Sequence, residues 1–340
     1  MRAAIYQSAG EALRVDQVPD PAPANDEVVL QVAKAGICGS DLHVKQQGLA
    51  TPGTIFGHEF AGTVVARGSE AGSWTAGERV TALPIFPCRH CEACDAGLTA
   101  LCPSVAFVGI GPKRGAYAEF ISVRADQLQR LPQGVDFTQG AMVEPLAVAH
   151  HAVDIAEIRS GDAVLITGGG PIGMGATLFA RLAGARHVIL SEPANDRRER
   201  AMALGATGVI DPKTENVAAR FAEMTGHAPD VVLECVGVPG LLAQAVEHVR
   251  LRGRVVVVGV CFGEDKFTPV VALAKEITIR FSQCYTEENF AAVIDAISTG
   301  RVEVGGIHTR TVSFGELPVI FEELGRDPKE CKVLLDPTLA

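Results

Sequence analysis

The chain has 340 residues, enough for about two domains of ordinary size. Hydrophobic residues make up 47% and charged residues 21%, a balance typical of a globular protein. The formal net charge of −10 argues against a broad surface for nucleic acid or anionic membranes. The N-terminal segment lacks the apolar stretch of a signal peptide, and nine cysteines without an export signal favour metal sites over disulfides. We therefore expect a cytoplasmic protein without nucleic-acid or membrane partners.

Up to about residue 135, short apolar runs alternate with glycine and proline, which predicts the strands of a β-rich domain. The clearest of these runs are Glu27–Lys34, Gly62–Ala66, Arg79–Leu83 and Ala118–Val123. Aromatic residues make up only 5% of the chain, so Ala, Val, Leu and Ile must supply most of the core.

From Ala163 onward, strands alternate with helices, which indicates βαβ units and a parallel sheet. The predicted strands are Ala163–Thr167, His187–Ser191, Asp230–Glu234 and Arg254–Val260. The predicted helices follow the glycines up to about Ala183 and then cover Asp196–Leu204 and Leu241–Arg250. The remaining elements are a helix over Glu288–Thr299, an irregular stretch, and a terminal strand over Lys332–Leu335.

A glycine-rich turn, Gly168-x-Gly170-x-x-Gly173, stands between the first of these strands and its helix. These glycines permit a tight turn, close approach of the backbone to a pyrophosphate, and close packing of helix on strand. The N-terminus of the helix offers N–H groups to the phosphates. The next strand leads to Glu192, where an acidic residue would bind the ribose 2′-hydroxyl. The pattern predicts a dinucleotide site; the alternative is a tight turn with a surface glutamate.

Glu192 favours NAD, because its carboxylate would repel the 2′-phosphate of NADP. Arg197 and Arg198 leave NADP open, since arginines after this strand accommodate that phosphate. The simpler interpretation is that both arginines lie on a solvated helix face. Arg197 nevertheless stays a candidate contact of the cofactor. The other candidate contacts lie in the turn and after the neighbouring strands, at Pro171, Ile172, Val236, Val258 and Val260.

Four cysteines lie within 15 residues, at Cys88, Cys91, Cys94 and Cys102. Four thiolates close a tetrahedral structural zinc site, and their short spacing lets one loop surround the ion. The alternatives are buried thiols or an iron–sulfur cluster, for which the proline after Cys102 would be suitable. The wide gap before Cys102 favours zinc, and so does the nucleotide-binding domain, which does not call for an electron-transfer cluster. We expect His90 to face solvent, because four thiolates already complete the ligand set.

A second set of metal-ligand residue types is spread along the chain. The segment Gly36–His43 contains a thiol, a hydroxyl, a carboxylate and an imidazole, and His58, Glu59 and Glu144 follow it. A catalytic zinc takes three protein ligands of mixed type and leaves a position open. Cys38 and His58, with either Glu59 or Glu144, would supply these ligands. Such wide spacing does not by itself distinguish ligands from core residues.

The segments GICGSDLH and GHE, the four-cysteine loop, EPLAVAHHA and GGGPIG occur together and in this order. In this combination the chain resembles the zinc-dependent medium-chain dehydrogenase/reductase family over essentially its whole length. The resemblance implies an α/β protein with a GroES-like β domain, residues 1–148 and 286–340, that holds a catalytic and a structural zinc. It also implies an inserted Rossmann domain, residues 149–285, with a doubly wound parallel sheet and a nicotinamide cofactor.

The family resemblance gives the second set its metal. It implies that Cys38 and His58 ligate the catalytic zinc. Glu144 stands where liver-type alcohol dehydrogenases have a cysteine ligand, which resembles the branch of sorbitol, threonine and butanediol dehydrogenases. In that branch either Glu59 ligates directly, with Glu144 exchanging or acting through water, or Glu144 is the ligand.

The resemblance also implies a proton relay from the substrate alcohol, which zinc acidifies as a Lewis acid. The relay runs through the hydroxyl of Ser40, the cofactor ribose and the imidazole of His43, whose ordinary pKa near 6.5 suits the transfer. Asp41 would orient the zinc-bound histidine. We interpret His150 and His151 as helix residues and not as ligands.

Two features bear on the substrate. Cys284-Tyr285-Thr286 is similar to the corresponding segment of butanediol dehydrogenases, and Val44 stands where polyol enzymes often have tyrosine. By family position, the wall of the pocket at the domain cleft consists of Val44, Ile85, Val105, Cys284 and Tyr285. This wall is mostly apolar and would leave the many hydroxyls of a sugar alcohol unpaired.

We therefore predict an NAD-dependent dehydrogenase of secondary alcohols or vicinal diols, with two zinc ions per chain, in a homodimer or homotetramer. An NADP-dependent carbonyl reductase, a sorbitol-type polyol dehydrogenase or a threonine dehydrogenase on the same scaffold are the alternatives. A non-enzymatic relative with a degraded site is disfavoured, because the complete set of candidate catalytic residues is present.

Overall fold

The computed structural model describes residues 1–111, 114–326 and 329–339. The chain divides into two compact units. The first comprises Met1–Glu144, Thr286–Ser298 and His308–Ala340, and the second comprises Pro145–Tyr285 and Thr299–Ile307. The domain boundaries given above, 148/149 and 285/286, stay predictions.

The amino-terminal part of the first unit is built mainly from short strands. They are β1 (Arg2–Ile5), β2 (Arg14–Gln17), β3 (Glu27–Gly36), β4 (Glu59–Arg67), β5 (Arg79–Ala82), β6 (Ile85–Phe86), β7 (Ala106–Phe107), β8 (Phe120–Arg124) and β9 (Leu128–Arg130). Two short helices, α1 (Gly39–Gln46) and α2 (Glu92–Asp95), interrupt the strands. Helix α3 (Phe137–Ile155) leads from the first unit into the second. The four predicted strands are confirmed as β3, β4, β5 and β8.

In the second unit strands and helices alternate. The strands are β10 (Ala163–Thr167), β11 (His187–Ser191), β12 (Gly208–Ile210), β13 (Val231–Glu234), β14 (Arg254–Val257) and β15 (Thr278–Phe281). The helices are α4 (Pro171–Leu182), α5 (Asn195–Ala203), α6 (Val217–Thr225), α7 (Leu241–His248) and α8 (Pro269–Lys275). All neighbouring strands are parallel, in the order β12-β11-β10-β13-β14-β15. Renumbered within the unit, this is the 3-2-1-4-5-6 order of a doubly wound dinucleotide fold, so the predicted fold is confirmed.

The sequence predicted four of these six strands, and burial explains which ones. Val164, Leu165 and Val232 are completely buried, so the central strands have continuous apolar runs. β12 is only three residues long, and β15 lies at the edge of the sheet, where Phe281 is 70% exposed. Neither strand therefore has a recognisable apolar run.

The carboxyl-terminal part returns to the first unit. Its elements are α9 (Glu287–Ser298), β16 (His308–Val312), α10 (Leu317–Arg326) and β17 (Lys332–Leu335). The irregular stretch predicted after Thr299 is wrong, because β16 pairs with β17 and α10 is a regular helix. The buried Leu317, Ile320 and Phe321 are spaced i, i+3, i+4, a helical signal that the sequence interpretation overlooked.

The main sheet of the first unit brings distant segments together. Its order is β16-β17-β3-β4-β5-β9, and β8 also pairs with β3. At the carboxyl end of β3, Gly36 lies opposite Leu334 of β17 and opposite Glu59 of β4. The loop after β3, the start of β4 and the terminal strand therefore meet at one end of the sheet.

Candidate metal centres and cofactor site

A thiol, an imidazole and a carboxylate meet at this end of the sheet. Cys38 directly precedes α1, and His58 and Glu59 stand at the start of β4. Gly36 leaves room for this carboxylate, because a Cβ there would lie 2.0 Å from Glu59 Oε2. The ligand atoms of Cys38, His58 and Glu59, hereafter the trio, all lie within 4.8 Å of one another.

Helix α1 holds polar groups against the trio. The fully buried Asp41 places Oδ1 3.3 Å from His58 Nδ1. The hydroxyl of Ser40 lies 3.2 Å from Cys38 Sγ and 3.5 Å from His58 Nε2. Burial alone would lower the pKa of His58, but Asp41 and the Cys38 thiol reverse this effect and hold the pKa well above its ordinary value. Nδ1 of His58 thus faces the Asp41 carboxylate, and Nε2 faces the hydroxyl of Ser40.

Glu59 has a cationic partner from the terminal strand. Both are almost completely buried, and Lys332 Nζ lies 2.7 Å from each carboxylate oxygen of Glu59 and donates to the carbonyl of Ile37. Burial lowers the pKa of Lys332, but the charge of Glu59 raises it above its ordinary value. The buried Glu144 carboxylate contributes to this rise, which puts it within electrostatic range of Lys332. Among the described residues, Glu144 is not one of the groups within 4.8 Å of the whole trio.

The other candidate residues of α1 differ in exposure. His43 lies on an exposed part of the helix, one turn after Ser40. Val44 is 8% exposed and belongs to the hydrophobic core of the first unit. The roles predicted for these residues stay predictions.

The four cysteines form a second cluster within one loop. Their Sγ atoms lie within 4.8 Å of one another, and α2 lies between Cys91 and Cys102. A backbone hydrogen bond from Cys94 lowers the pKa of Cys91, but burial and the neighbouring thiols raise it to about 11. The backbone N–H of Cys88 lowers the pKa of Cys102 to about 7. His90 is exposed, as expected, with Nδ1 2.7 Å from the carbonyl of Cys88.

Both clusters fit zinc by the chemistry of their donors. Zinc binds thiolate, imidazole and carboxylate in tetrahedral sites, and it needs four protein ligands where it is structural and three where it is catalytic. The four sulfurs in one loop match the ligand set of a structural zinc. The mixed trio matches the three-ligand set of a catalytic zinc. These are the groups with metal-ligand geometry in the part of the chain that the structure describes.

The glycine turn has the geometry that a pyrophosphate needs. Gly168 has a φ of +94°, and a Cβ on Gly173 would lie 1.8 Å from the carbonyl oxygen of Gly168. Gly170 directly precedes α4, and a Cβ added there would meet nothing within 4 Å. Pro171 and Ile172, half-buried, form the first turn of α4. The helix N-terminus thus opens onto free space, which fits the predicted dinucleotide.

The carboxylate of Glu192 closes this turn. Its Oε2 accepts the N–H of Gly169 at 2.7 Å, and its Oε1 accepts the N–H of Ala194 at 2.9 Å. A guanidinium nitrogen of Arg197 lies 4.0 Å from Oε2. Arg198 instead donates to the carbonyls of Glu192 and of the following proline. Of the two arginines, Arg197 is the one at the turn.

The three valines predicted at the cofactor site differ in position. Val236 packs against the turn, since a Cβ on Gly168 would lie 2.6 Å from its Cγ2. Glu234, at the end of β13, accepts the backbone N–H of Val236. Val258 is 8% exposed, directly after β14, whereas Val260 is 58% exposed in the loop that follows.

The residues predicted to line the substrate pocket belong to both units. Ile85 is buried in β6, and Val105 is half-buried before β7. Cys284, with a φ of +50°, and the buried Tyr285 are the last residues of the long segment of the second unit. The pocket itself stays a prediction.

The sequence interpretation missed two buried residues next to the trio. They are Lys332, which binds Glu59, and Tyr117, whose hydroxyl donates to Asp41 Oδ2 at 2.7 Å. A lysine at the start of the apolar terminal strand was the available signal for the first. His150 and His151 lie in α3, as expected.

Comparison with protein families and solved structures agrees with this geometry. Residues 24–133 match the model of the alcohol dehydrogenase GroES-like domain, and residues 171–299 match that of the zinc-binding dehydrogenases. In the described part of the chain we find no helix with the length and hydropathy needed to cross a bilayer.

Individual relatives cover almost the whole chain. The 2-dehydro-3-deoxy-L-galactonate 5-dehydrogenase of Pseudoalteromonas atlantica is 34% identical over 93% of both chains. The (R,R)-butanediol dehydrogenase of Bacillus subtilis is 30% identical over 99% of this chain and 100% of its own. A zinc-binding dehydrogenase of Sinorhizobium meliloti, solved with NADP bound, is 33% identical with a TM-score of 0.91 over 99% of both chains. The chain thus belongs to the zinc-dependent medium-chain dehydrogenase/reductase family and is an oxidoreductase of the alcohol dehydrogenase type.

Proposed function

We propose that this protein transfers hydride between a secondary alcohol or vicinal diol, of the butane-2,3-diol kind, and NAD. The observation that carries the proposal is the hydroxyl of Ser40, which contacts both Cys38 Sγ and His58 Nε2. A proton acceptor thus lies beside two donor atoms suited to a catalytic zinc. When bound, zinc supplies a Lewis acid that lowers the pKa of a substrate hydroxyl, and the nicotinamide accepts the hydride.

For the catalytic zinc we propose the trio as ligands. Support comes from the mutual distances of Cys38, His58 and Glu59 and from their mixed N, S and O chemistry. Lys332 donates to both oxygens of the Glu59 carboxylate and fixes it at this place. The family resemblance implies that Glu144, which is buried, exchanges with Glu59 or reaches the metal through water. We propose a second, structural zinc in the four-cysteine loop, which makes two per chain.

The proton of the substrate has to leave a buried site. We propose that the hydroxyl of Ser40 takes it and that the imidazole of His43, one turn further along α1, releases it to solvent. The ribose of a bound cofactor would supply hydroxyl groups for hydrogen bonding there. Positions i and i+3 of a helix face the same side. His43 is exposed, so its imidazole can exchange the proton with solvent.

For NAD the support is Glu192. Its carboxylate already accepts two backbone N–H groups at the turn, so it is held where a ribose hydroxyl can donate to it and where a 2′-phosphate would be repelled. Arg198 donates to backbone carbonyls, whereas the guanidinium of Arg197 lies 4.0 Å from Glu192 Oε2 at the turn, which makes Arg197 the candidate partner for a phosphate. The NADP found in the Sinorhizobium meliloti relative makes an NADP-dependent carbonyl reductase the second candidate.

We propose that the protein forms a homodimer or homotetramer. Its contact surface would be the β15 edge of the parallel sheet. β15 lies at that edge, and Phe281 and Leu273 are 70% and 75% exposed. Open strand edges and exposed apolar side chains favour association with a second copy. A Phe281→Glu variant should shift the mass measured by light scattering towards that of the monomer.

A steady-state panel tests the function. It compares butane-2,3-diol, cyclohexanol, sorbitol and threonine, each with NAD and with NADP, by the appearance of reduced cofactor. We expect the diol or the cyclic alcohol to have the highest kcat/KM, because a mostly apolar pocket leaves extra hydroxyls unpaired at about 1–3 kcal/mol each. A tenfold or larger advantage of sorbitol or threonine would contradict the substrate assignment, and a preference for NADP would contradict the cofactor assignment.

A further inference from the structure

A buried tyrosine stands behind the candidate catalytic centre. The side chain of Tyr117 is completely buried, and its hydroxyl lies 2.7 Å from Asp41 Oδ2 and 3.1 Å from the carbonyl oxygen of Gly36. A hydroxyl has one hydrogen to donate, and the charged, closer carboxylate is the stronger acceptor. The burial that surrounds the hydroxyl and the charge of Asp41 raise the pKa of Tyr117, so the proton stays on the donor.

The two oxygens of Asp41 face different partners. Oδ2 accepts from Tyr117, whereas Oδ1 lies 3.3 Å from His58 Nδ1. Rotation of the carboxylate towards any other direction would break the contact with the tyrosine. A buried carboxylate that loses a hydrogen bond is strongly penalised. The tyrosine therefore fixes the direction in which Asp41 faces His58.

The ring of Tyr117 is itself immobilised. A Cβ on Gly57 would lie 2.6 Å from Tyr117 Cδ1, so the ring packs directly on the backbone next to His58. Phe321 of α10 meets the ring edge-on, with 6.2 Å between centroids. The backbone of Tyr117 is hydrogen-bonded to Phe56 and to Ala4. The hydroxyl is thus a fixed point from which the orientation of Asp41 can be set.

We propose that Tyr117 is a positioning residue of the catalytic centre, which acts through Asp41 to hold the imidazole of His58 with Nε2 towards the metal. The proposal rests on the zinc assignment made under the proposed function. Outer partners of metal-bound histidines fix the ring and its tautomer, and their loss typically weakens metal binding or activity by about 10- to 100-fold.

The test measures metal affinity. Zinc or cobalt is titrated back into the metal-depleted protein against a chromophoric chelator, for wild type and for Tyr117→Phe, which removes only the hydroxyl. We expect the affinity of one site to fall about 10- to 100-fold, with a changed cobalt absorption spectrum, while the second, four-cysteine site keeps its affinity. Tyr6→Phe is the matched control, because Tyr6 is buried in the same hydrophobic core, where its ring packs on Phe56. We expect it to bind both metals like wild type.

A double-mutant cycle with Asp41→Asn keeps the test decisive if Tyr117→Phe also lowers the thermal midpoint. Because Tyr117 acts through Asp41, the losses of metal affinity in the two single variants should not add in the double variant. Additive losses, or an unchanged affinity in Tyr117→Phe, would overturn the proposal. Cys38→Ser separates this failure from that of the zinc assignment: if it still binds two zinc ions, the assignment itself is wrong.

Discussion

The two metal-ligand clusters of the first unit differ in how the chain assembles them. The four cysteines belong to one loop, Cys88–Cys102, and their spacing alone indicates a site. The trio joins the end of β3 to the start of β4, and its lysine partner follows Glu59 by 273 residues. A local cluster can be recognised from the sequence, whereas an assembled one exists only when the sheet has formed. Substitutions in the four-cysteine loop should therefore lower folding stability, and substitutions in the trio should lower the catalytic rate.

The largest difference between the two clusters should appear in kcat, when residues of the proton relay beside the trio are changed. His43→Gln and Ser40→Ala should lower kcat at pH 7 by about 10²–10⁴, the usual contribution of a positioned general base. The rate of His43→Gln should recover partly at high pH, where hydroxide can accept the proton. His90→Gln, which changes an exposed histidine beside the other cluster, should keep the wild-type rate. An unchanged rate in His43→Gln at pH 7 would remove His43 from the relay.

The buried pair of Lys332 and Glu59 should have the next largest effect. Lys332→Met leaves an unpaired buried carboxylate, which typically costs about 3–5 kcal/mol of folding stability. Zinc bound at Glu59 would compensate part of this charge, so the loss should be larger in zinc-depleted protein. Urea midpoints with and without zinc measure it. Lys34→Met, at the half-buried pair with Asp336, is the control and should cost less. Equal losses with and without zinc would contradict the assignment of Glu59 as a ligand.

The cofactor site is a local feature, like the cysteine loop, and should show a smaller effect. Wild type should favour NAD over NADP by about 2–4 kcal/mol, or roughly 30- to 1000-fold in kcat/KM, because Glu192 loses its ribose partner and repels the phosphate. Glu192→Ser should narrow this ratio, with help from Arg197. Glu199→Ser, on the exposed side of α5, should not change it. If Glu192→Ser leaves the ratio of kcat/KM with NAD to kcat/KM with NADP unaltered, Glu192 does not select the cofactor.

The same distinction explains what the sequence could predict. The glycine turn, the acidic residue after β11 and the parallel order of the sheet follow from local patterns, and the structure has them. Cys38 and His58 were candidates by residue type, but only the family resemblance implied that they are ligands, because no local rule links residues in distant segments of the chain. Lys332 and Tyr117 were missed, since only the pairing of β17 with β3 and the packing beside Gly57 bring them to the trio. Helix α10 was missed although its spacing was visible.

The proposed function requires two independent zinc sites, one local and one assembled. The most direct test is the zinc content per chain of purified wild type, Cys38→Ser and Cys94→Ser, measured by elemental analysis together with the alcohol dehydrogenase rate and the thermal midpoint. We predict two zinc ions in wild type and one in each variant. Cys38→Ser should lose the rate and keep the midpoint, whereas Cys94→Ser should lower the midpoint. A zinc content that Cys38→Ser leaves unchanged would contradict the zinc site at the trio.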